Sequence, residues 1–591
     1  MKMICFDTEV FKHDWLFCAT DLNTGEEFVI WNDREAFSDF YTEYRDGLWI
    51  GYNVNHYDQY IVKGLLCGLN PYKISHHIIV EEKPGWTFSS AFRTVRLNFY
   101  DVMVKNTSLK KLELFMGMDI EESPVDFHID RPLTDDEREL TVKYCKHDVK
   151  STCEVLNKTM SRFSSQVSII KTFKRPLRDM CKTQAQLAGK VLGAVKTNFN
   201  DKYDLRIPET LTLNKYGKVI DWYLNAKLDT VEEMKLAGKN PSNPFEFEVF
   251  YDERYLILDV AGVPTKFGWG GLHGAIPQFH HTCQDDEVMY VIDVDQLYPS
   301  LMVNYNLLSR TVREPEKYVD ILATSLRLKA EGKKTEREPY KLLCNTVYGV
   351  EGQKDGVMYD PLHRNLVCVY GQLLMLDLIE KIENSCKIVQ ANTDGVLVLV
   401  KKDNVDKLKE IVNDWERRTH LNMSYSEYHS IYQKDVNNYI AIKKDKTYKL
   451  VGDYVKKLSP IDYDLPIVRK AVIEYFVNGV HPRDTITACD DLIEFQKCYT
   501  VSKKFSHAVW CGKKLKGKVF RVFASTNKNL THLGRTKGEG MTVVKFGLCP
   551  KHAFIWNKSV IGVKVPDDLD KEFYIDLALK RLAAFGFEVT E

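Results

Sequence analysis

Val291-Ile292-Asp293-Val294-Asp295-Gln296-Leu297-Tyr298-Pro299-Ser300 reads as an apolar strand that ends on a carboxylate and turns through Tyr-Pro into a helix. Alone it is a strand-turn-helix with a stray acid. Two segments downstream change its weight. Pro339-Tyr340-Lys341-Leu342-Leu343-Cys344-Asn345-Thr346-Val347-Tyr348-Gly349 predicts a helix with Pro at its first position and Gly at its C-cap. It places Lys341, Asn345 and Tyr348 on one face, a stripe that by itself is usually just solvent-facing. Ile388 to Val398 predicts a strand, a tight turn at Asn392-Thr393-Asp394-Gly395 and a second strand. Lys329 and Arg337, upstream of the helix, are further candidates for phosphate contacts.

The 591 residues suggest about three to five domains. Apolar residues are 44% and charged residues 28%, with no apolar run near the ~18–20 residues of a membrane span and no signal-peptide pattern. The expectation is a cytoplasmic monomer without a membrane partner. Fourteen cysteines lack any Cys-x-x-Cys or Cys/His zinc spacing, so neither disulfides nor structural zinc is expected. Lys+Arg and Asp+Glu balance at 82 each, yet Lys503 to Lys551 holds twelve basic residues against one acid, Glu539. Interleaved with Phe505, Trp510, Phe520, Phe523 and Phe546, this run reads as a candidate phosphate-binding surface or a solvated basic face.

The first ~156 residues read as one α/β domain. Asp7-Thr8-Glu9 closes a strand at Met3 to Phe6, and a period of two puts both carboxylates on one side. A second strand, Leu48 to Tyr52, leads into Asn53-Val54-Asn55-His56-Tyr57-Asp58. Tyr144 and Asp148 lie four apart on an amphipathic helix. A long helical tract over Ser168 to Ala194 and a polar stretch from Gly238 to Pro244 follow. Two-metal phosphodiester hydrolysis needs several oxygen ligands around cations ~3.5–4 Å apart. Asp7, Glu9, Asp58 and Asp148 supply four carboxylates, Tyr144 can orient a water, and Asn53 and Tyr57 can hold a frayed primer end.

In this order the segments resemble family B DNA polymerases with a 3′→5′ proofreading exonuclease, among them bacteriophage replicative enzymes. The three exonuclease motifs D-x-E, N-x(2–3)-(F/Y)-D and Y-x(3)-D all match, and Ser108-Leu109-Lys110-Lys111-Leu112 resembles the family's single-strand contact. Asp126 to Pro132 resembles a segment of small phage enzymes. Those enzymes carry an assisting lysine near it, where this chain has Ile129 and Arg131. The Asp293 and Asn345 segments resemble motifs A and B, with Gln296 and Thr346 replacing serines, and the Asp394 turn falls where motif C belongs.

The resemblance implies an α/β and α+β multidomain chain, an RNase H-like exonuclease followed by a right-hand polymerase. The corresponding division is exonuclease 1–156, connecting helical segment and start of the palm 157–285, palm 286–310, fingers 311–350, palm 351–457 and thumb 458–591. It also implies DNA synthesis from dNTPs on a primer-template, with two Mg²⁺ per active site and Mn²⁺ as a substitute. Asp293 and Asp394 would be metal ligands, Tyr298 would exclude a 2′-hydroxyl, and Lys341, Asn345 and Tyr348 would contact the nucleotide. Gly270 and Gly271, in Phe267 to Gly271, would belong to a template loop, and Thr393 and Tyr439 would contact DNA.

The departures carry expectations of their own. Asn392 replaces the first motif C acid and is expected only to position the turn. Asn437 replaces the lysine of a K-x-Y duplex-binding segment. The intervals between Ser300 and Lys341 and between Gly349 and Asn392 leave no room for the insertions of protein-primed relatives. The expected substrate is an ordinary nucleic-acid primer, with a helicase, primase or processivity factor as partner. Two other readings stand beside this one: a stand-alone exonuclease with a DNA-binding scaffold, which Asn392 favours, and an RNA-copying palm enzyme, which Tyr298 and the exonuclease motifs disfavour.

Overall fold

The computed structural model describes residues 1–228, 230–241, 255–538 and 541–589; Glu539 and the 242–244 end of the polar stretch lie outside them. The chain is a mixed α/β protein of two compact units. One comprises Met1–Lys182, Leu458–Ala471 and Pro482–Leu577, the other Thr183–Lys457, Val472–His481 and Ala578–Glu591. Among the described residues no helix is long and apolar enough to cross a membrane.

The first unit opens with β1 (Met3–Val10), β2 (Trp15–Asp21), β3 (Glu27–Trp31), β4 (Leu48–Gly51) and β5 (Phe99–Asp101). They form one sheet in the order β3-β2-β1-β4-β5, with β1, β4 and β5 parallel and β1, β2 and β3 an antiparallel meander. Side-chain alternation divides β1 between two layers. Ile4, Phe6 and Val10 enter a core with Phe17, Phe37, Phe40 and Trp49, whose rings meet at 5.0–5.9 Å and largely edge-on. Cys5 and Asp7 face the other layer.

The helices that carry the first site are α1 (Arg34–Tyr44), α2 (Asp58–Leu66), α3 (Pro71–Ile79), α4 (Leu109–Phe115) and α5 (Asp135–Lys158). Helix α5 starts at a full capping box, Thr134 with Glu137, and runs through residue 156 without a break, so the first unit continues to Lys182. The single helix expected over Ser168 to Ala194 is instead α6 (Met160–Thr172), a 3₁₀ turn over Leu177–Cys181 and α7 (Gln184–Val191). Pro176 is the cause: it lacks an N–H and keeps its predecessor out of helical geometry.

In the second unit the strands are β6 (Leu256–Val260), β7 (Val263–Phe267), β8 (His273–Ala275), β9 (His280–Thr282), β10 (Glu287–Val294), β11 (Lys387–Ala391), β12 (Gly395–Lys401), β13 (Met423–Tyr428), β14 (Ser430–Asp435), β15 (Asn438–Ile442) and β16 (Tyr448–Val451). Seven form one sheet in the order β13-β10-β12-β11-β8-β7-β6, and four form another, β16-β15-β14-β9. Helices α8 (Leu297–Asn304), α9 (Pro315–Ala330), α10 (Lys334–Glu351) and α11 (Pro361–Ile382) accompany them. Helix α10 corrects the expectation from its sequence. It begins at Lys334, keeps Pro339 in its interior and continues past Gly349 to Glu351, with Gly352 as C-cap. The punctuating signal before it is Gly332, left-handed at φ 71°.

The C-terminal portion is divided between the two units, and within the first it forms two small sheets. The basic run there is only partly a surface. Arg521 is fully buried and donates to the carbonyls of Leu114 at 2.9 Å and Met118 at 3.0 Å, at the C-terminal end of α4. Phe520 and Phe523 are core residues because strand Val519–Ala524 is buried throughout, and Phe546 packs into the same core as Phe520. Lys513, Lys514 and Lys545 remain exposed.

Candidate active sites

The first site gathers at the end of β1. Asp7 and Glu9 point toward Asp148 on α5, and Asp58, the first residue of α2, accepts a 2.6 Å hydrogen bond from Thr8 Oγ1. The turn delivering Asp58 is shaped by Asp101, whose carboxylate accepts from the N–H groups of Asn53, Asn55 and Met103, each at 2.9 Å. Asn53 is left-handed there, φ 63°. Four carboxylates in one largely buried place cannot all ionise without a cation. Burial first, then mutual repulsion, pushes Asp7 and Glu9 well above the carboxylate range. Burial raises Asp148 against the opposing pull of Lys110, and burial pushes Asp58 up to about 7 against the Thr8 hydrogen bond. Glu9 has neither hydrogen-bond nor ion-pair partner among the described residues. The oxygen donor set fits hard divalent cations such as Mg²⁺.

A cleft of about 500 Å³ beside Glu9 is lined by Asn53, Tyr57, Tyr72, His76, Phe127 and His128 among others. The expected single-strand contacts Asn53 and Tyr57 are therefore in it, and the Asp126 to Pro132 segment contributes Phe127. Ser108 caps α4, its Oγ accepting from Lys111 N at 3.3 Å, and Leu109 begins that helix; neither lines the cleft.

The structure adds a residue that sequence reading had passed over, Lys110. Its ammonium lies 2.6 Å from Asp148 Oδ1, 3.4 Å from Glu113 Oε1 and 4.6 Å above the Tyr144 ring. Glu113 is fully buried and also meets His147 Nε2 at 3.2 Å. Glu113, His147 and Asp148 could surround a metal ion, but the Lys110 ammonium is already ion-paired to both carboxylates. Arg131 is instead held by Glu137 through contacts of 2.7 and 2.8 Å. The signal was inside the Ser108 to Leu112 motif itself.

The raised Asp58 has a consequence for stability. Folded and unfolded forms both hold the proton below about pH 4, but from there to about pH 7 only the folded carboxyl keeps it, so stability falls as pH rises through this window. Metal-free protein is expected to melt at a higher temperature near pH ~5 than near pH ~8, by a few kcal/mol of equivalent stability, with Mg²⁺ reversing the trend. Calorimetry with chelator on wild type and Asp58→Asn checks this; a variant that keeps the full wild-type slope would refute it.

The second site lies at the ends of β10 and β12. Asp293 pairs across the ladder with Gly395, Val294 N donates to Asp394 O at 2.7 Å, and both aspartates line one cleft. Gly395 is required here: a Cβ on it would come 2.0 Å from Asp293 Oδ1. Burial pushes Asp293 up to about 6, with Lys449 of β16 pulling it down and Asp394 pushing it further up. Neither carboxylate has a hydrogen-bond or ion-pair partner among the described residues. Here too the donors fit hard cations.

A polar cleft of about 620 Å³ joins Asp293, Asp394, Tyr298, Lys329, Arg337, Lys341, Asn345, Asn392 and Thr393. Lys329 is ion-paired to Asp295. Tyr298 donates to Gly270 O at 2.9 Å, and its ring meets that of Tyr348 at 3.9 Å between centroids. A Cβ on Gly271 would sit 2.2 Å from Thr393 Oγ1, so any larger residue there would displace the Thr393 side chain. Asn392 Oδ1 accepts from Thr393 N at 2.9 Å and faces His273 Nδ1 at 3.1 Å, so its carbonyl is already engaged within the turn. Tyr439 is buried on β15 beside Lys449. Neither Lys449 nor His273 had a local sequence signal.

No family model matches the chain, and no curated protein matches it. Among solved structures it is similar to the family B DNA polymerase from the hyperthermophilic archaeon Pyrobaculum calidifontis, with a TM-score of 0.44 and 14% identity, covering 100% of this chain and 79% of that one.

Proposed function

We propose that the chain is a template-directed DNA polymerase of the family B type with a 3′→5′ proofreading exonuclease, serving the replication of a bacteriophage genome. The observation that carries this reading is the convergence of three distant segments on one cleft. Asp293 and Asp394 form an unpartnered carboxylate pair there, facing Lys329, Arg337 and Lys341. That pairing of charges suits a nucleoside triphosphate, whose phosphates need cations on one side and lysine or arginine on the other. Two Mg²⁺ or Mn²⁺ ions, when bound, would supply Lewis acidity toward the primer 3′-hydroxyl and neutralise charge on the leaving pyrophosphate. Asp293 and Asp394 hold that position, and Asn345 with Tyr348 lines the nascent pair. The Tyr298 ring, pinned by Gly270 O and packed against Tyr348, would exclude a 2′-hydroxyl from the incoming sugar.

Asp7, Glu9, Asp58 and Asp148 carry the degradation reaction. Tyr144 orients the attacking water, while Tyr57, Tyr72 and Phe127 offer stacking surfaces for unpaired bases. Lys110, beside Asp148, would offset negative charge that builds on the scissile phosphate. The exposed Lys513, Lys514 and Lys545 supply a duplex grip. A labelled primer-template with Mg²⁺ tests the whole reading: dNTPs should lengthen the primer, their omission should shorten it, and a protein that does neither refutes it.

Asn392 separates positioning from ligation. With its carbonyl engaged by Thr393 and His273, Asn392→Ala is expected to leave single-turnover extension within about tenfold of wild type, ~1.4 kcal/mol of barrier. Asp394→Asn should be near-inactive. Equal loss in the two variants would make Asn392 a metal ligand.

A further inference from the structure

The carboxylate site at β1 has a donor that Mg²⁺ does not use. Cys145, next to Tyr144 on α5, is fully buried, and its thiol donates to Asp7 Oδ2 at 3.6 Å. One ligand atom each from Asp7, Glu9 and Cys145 lie within 4.8 Å of one another. Glu9 is the second, independent sign of a ligand. It is only 7% exposed, and its carboxylate, turned toward the other two groups, has no hydrogen-bond or ion-pair partner among the described residues.

The donor types select a class of cation. Zn²⁺ holds a cysteine sulfur at ~2.3 Å and a carboxylate oxygen at ~2.0 Å, and tetrahedral angles then separate the two ligand atoms by about 3.5 Å. The 3.6 Å hydrogen bond between Cys145 Sγ and Asp7 Oδ2 already holds the two atoms at about that separation, so a cation could replace the proton with little rearrangement. Mg²⁺ wants oxygen alone, whereas thiolate ligands favour zinc, and Zn²⁺ outranks Mn²⁺ in affinity for a given site.

We propose that Asp7, Glu9 and Cys145 form a site for a thiophilic divalent cation, Zn²⁺ or Co²⁺, which displaces the oxygen-bound cations of the degradation reaction and arrests it. Binding exchanges a proton for the metal: the Cys145 S–H proton leaves to solvent, the sulfur binds as thiolate, and no oxidation state changes. Water takes the fourth position, as at other three-ligand zinc sites. The polar cleft at Asp293 and Asp394 is lined by no cysteine, so the arrest is confined to degradation. Only this consequence rests on the exonuclease reading; the cation site itself does not.

The test is a Co²⁺ titration of reduced, metal-free, full-length protein in the absence of DNA. The expected result is a near-ultraviolet thiolate-to-cobalt charge-transfer band that Zn²⁺ bleaches and Cys145→Ser removes. An indicator competition should show Zn²⁺ affinity falling at least about tenfold in that variant. In Mg²⁺-supported degradation, Cys145→Ser should need at least about tenfold more Zn²⁺ for arrest. An unchanged band and affinity in Cys145→Ser would overturn the proposal. If that variant does not fold, Glu9→Gln decides, since it keeps the thiol and should also weaken Zn²⁺ binding; wild-type affinity there overturns the proposal equally. A Cys145-dependent band in a protein that degrades no primer keeps the cation site and sinks the exonuclease reading, and degradation without such a band does the reverse.

Discussion

Replacing Asp293 or Asp394 with alanine is expected to lower single-turnover primer extension by at least about a thousandfold, ~4 kcal/mol of barrier, while single strands are still degraded. The reason is the poverty of the cleft in uncommitted acid. Asp295 also lines it, but Lys329 is paired to it, and the carbonyl of Asn392 is taken by Thr393 and His273. Only Asp293 and Asp394 are left, and removing either leaves one carboxylate to hold two divalent cations next to a triphosphate. Gly395→Ala tests the same point by shape: its methyl would fall 2.0 Å from Asp293 Oδ1, so a comparable loss is expected with every carboxylate still present. Retained degradation together with an unchanged melting profile shows that both units are folded in the same preparations. Extension within about tenfold of wild type in either aspartate variant would show that the chemistry lies elsewhere.

The second large effect belongs to Asp7→Ala combined with Glu9→Ala, for which primer shortening is expected to fall at least about a thousandfold while extension persists. The double change leaves Asp58 and Asp148, and the Lys110 ammonium already lies 2.6 Å from Asp148. What remains has too little negative charge for two cations. The variant also makes a prediction opposite to that for an ordinary destabilising substitution. Asp7 and Glu9 are raised by burial and mutual repulsion, so removing them relieves the folded state, and the metal-free variant should melt above wild type near neutral pH. Denaturation curves in chelator give that ordering, and undiminished shortening in Mg²⁺ would end the exonuclease assignment.

The local patterns carried much of this. Period-two alternation put Asp7 and Glu9 on one side of a strand. The Asn-Thr-Asp-Gly turn produced a hairpin whose corner is Asp394, and helical spacing put Lys341 and Asn345 in the cleft and Tyr348 against Tyr298 behind it. These are short-range consequences of backbone geometry, and neighbours in sequence suffice to determine them.

Tertiary packing alone decided the rest. Lys110 meets Asp148 only because α4 packs beside α5, and Lys449 reaches Asp293 only because β16 lies in a second sheet near the first. Arg521 sits in a basic run, yet folding buries it on the carbonyls ending α4. Cys145 and Asp7, far apart in the chain, meet where a helix crosses a sheet. Residue type and spacing report which face a side chain takes, but the partner that neutralises, buries or competes with it comes from a distant segment. That partner sets each group's electrostatic state, because Coulomb and desolvation energies depend on distances that the fold alone imposes.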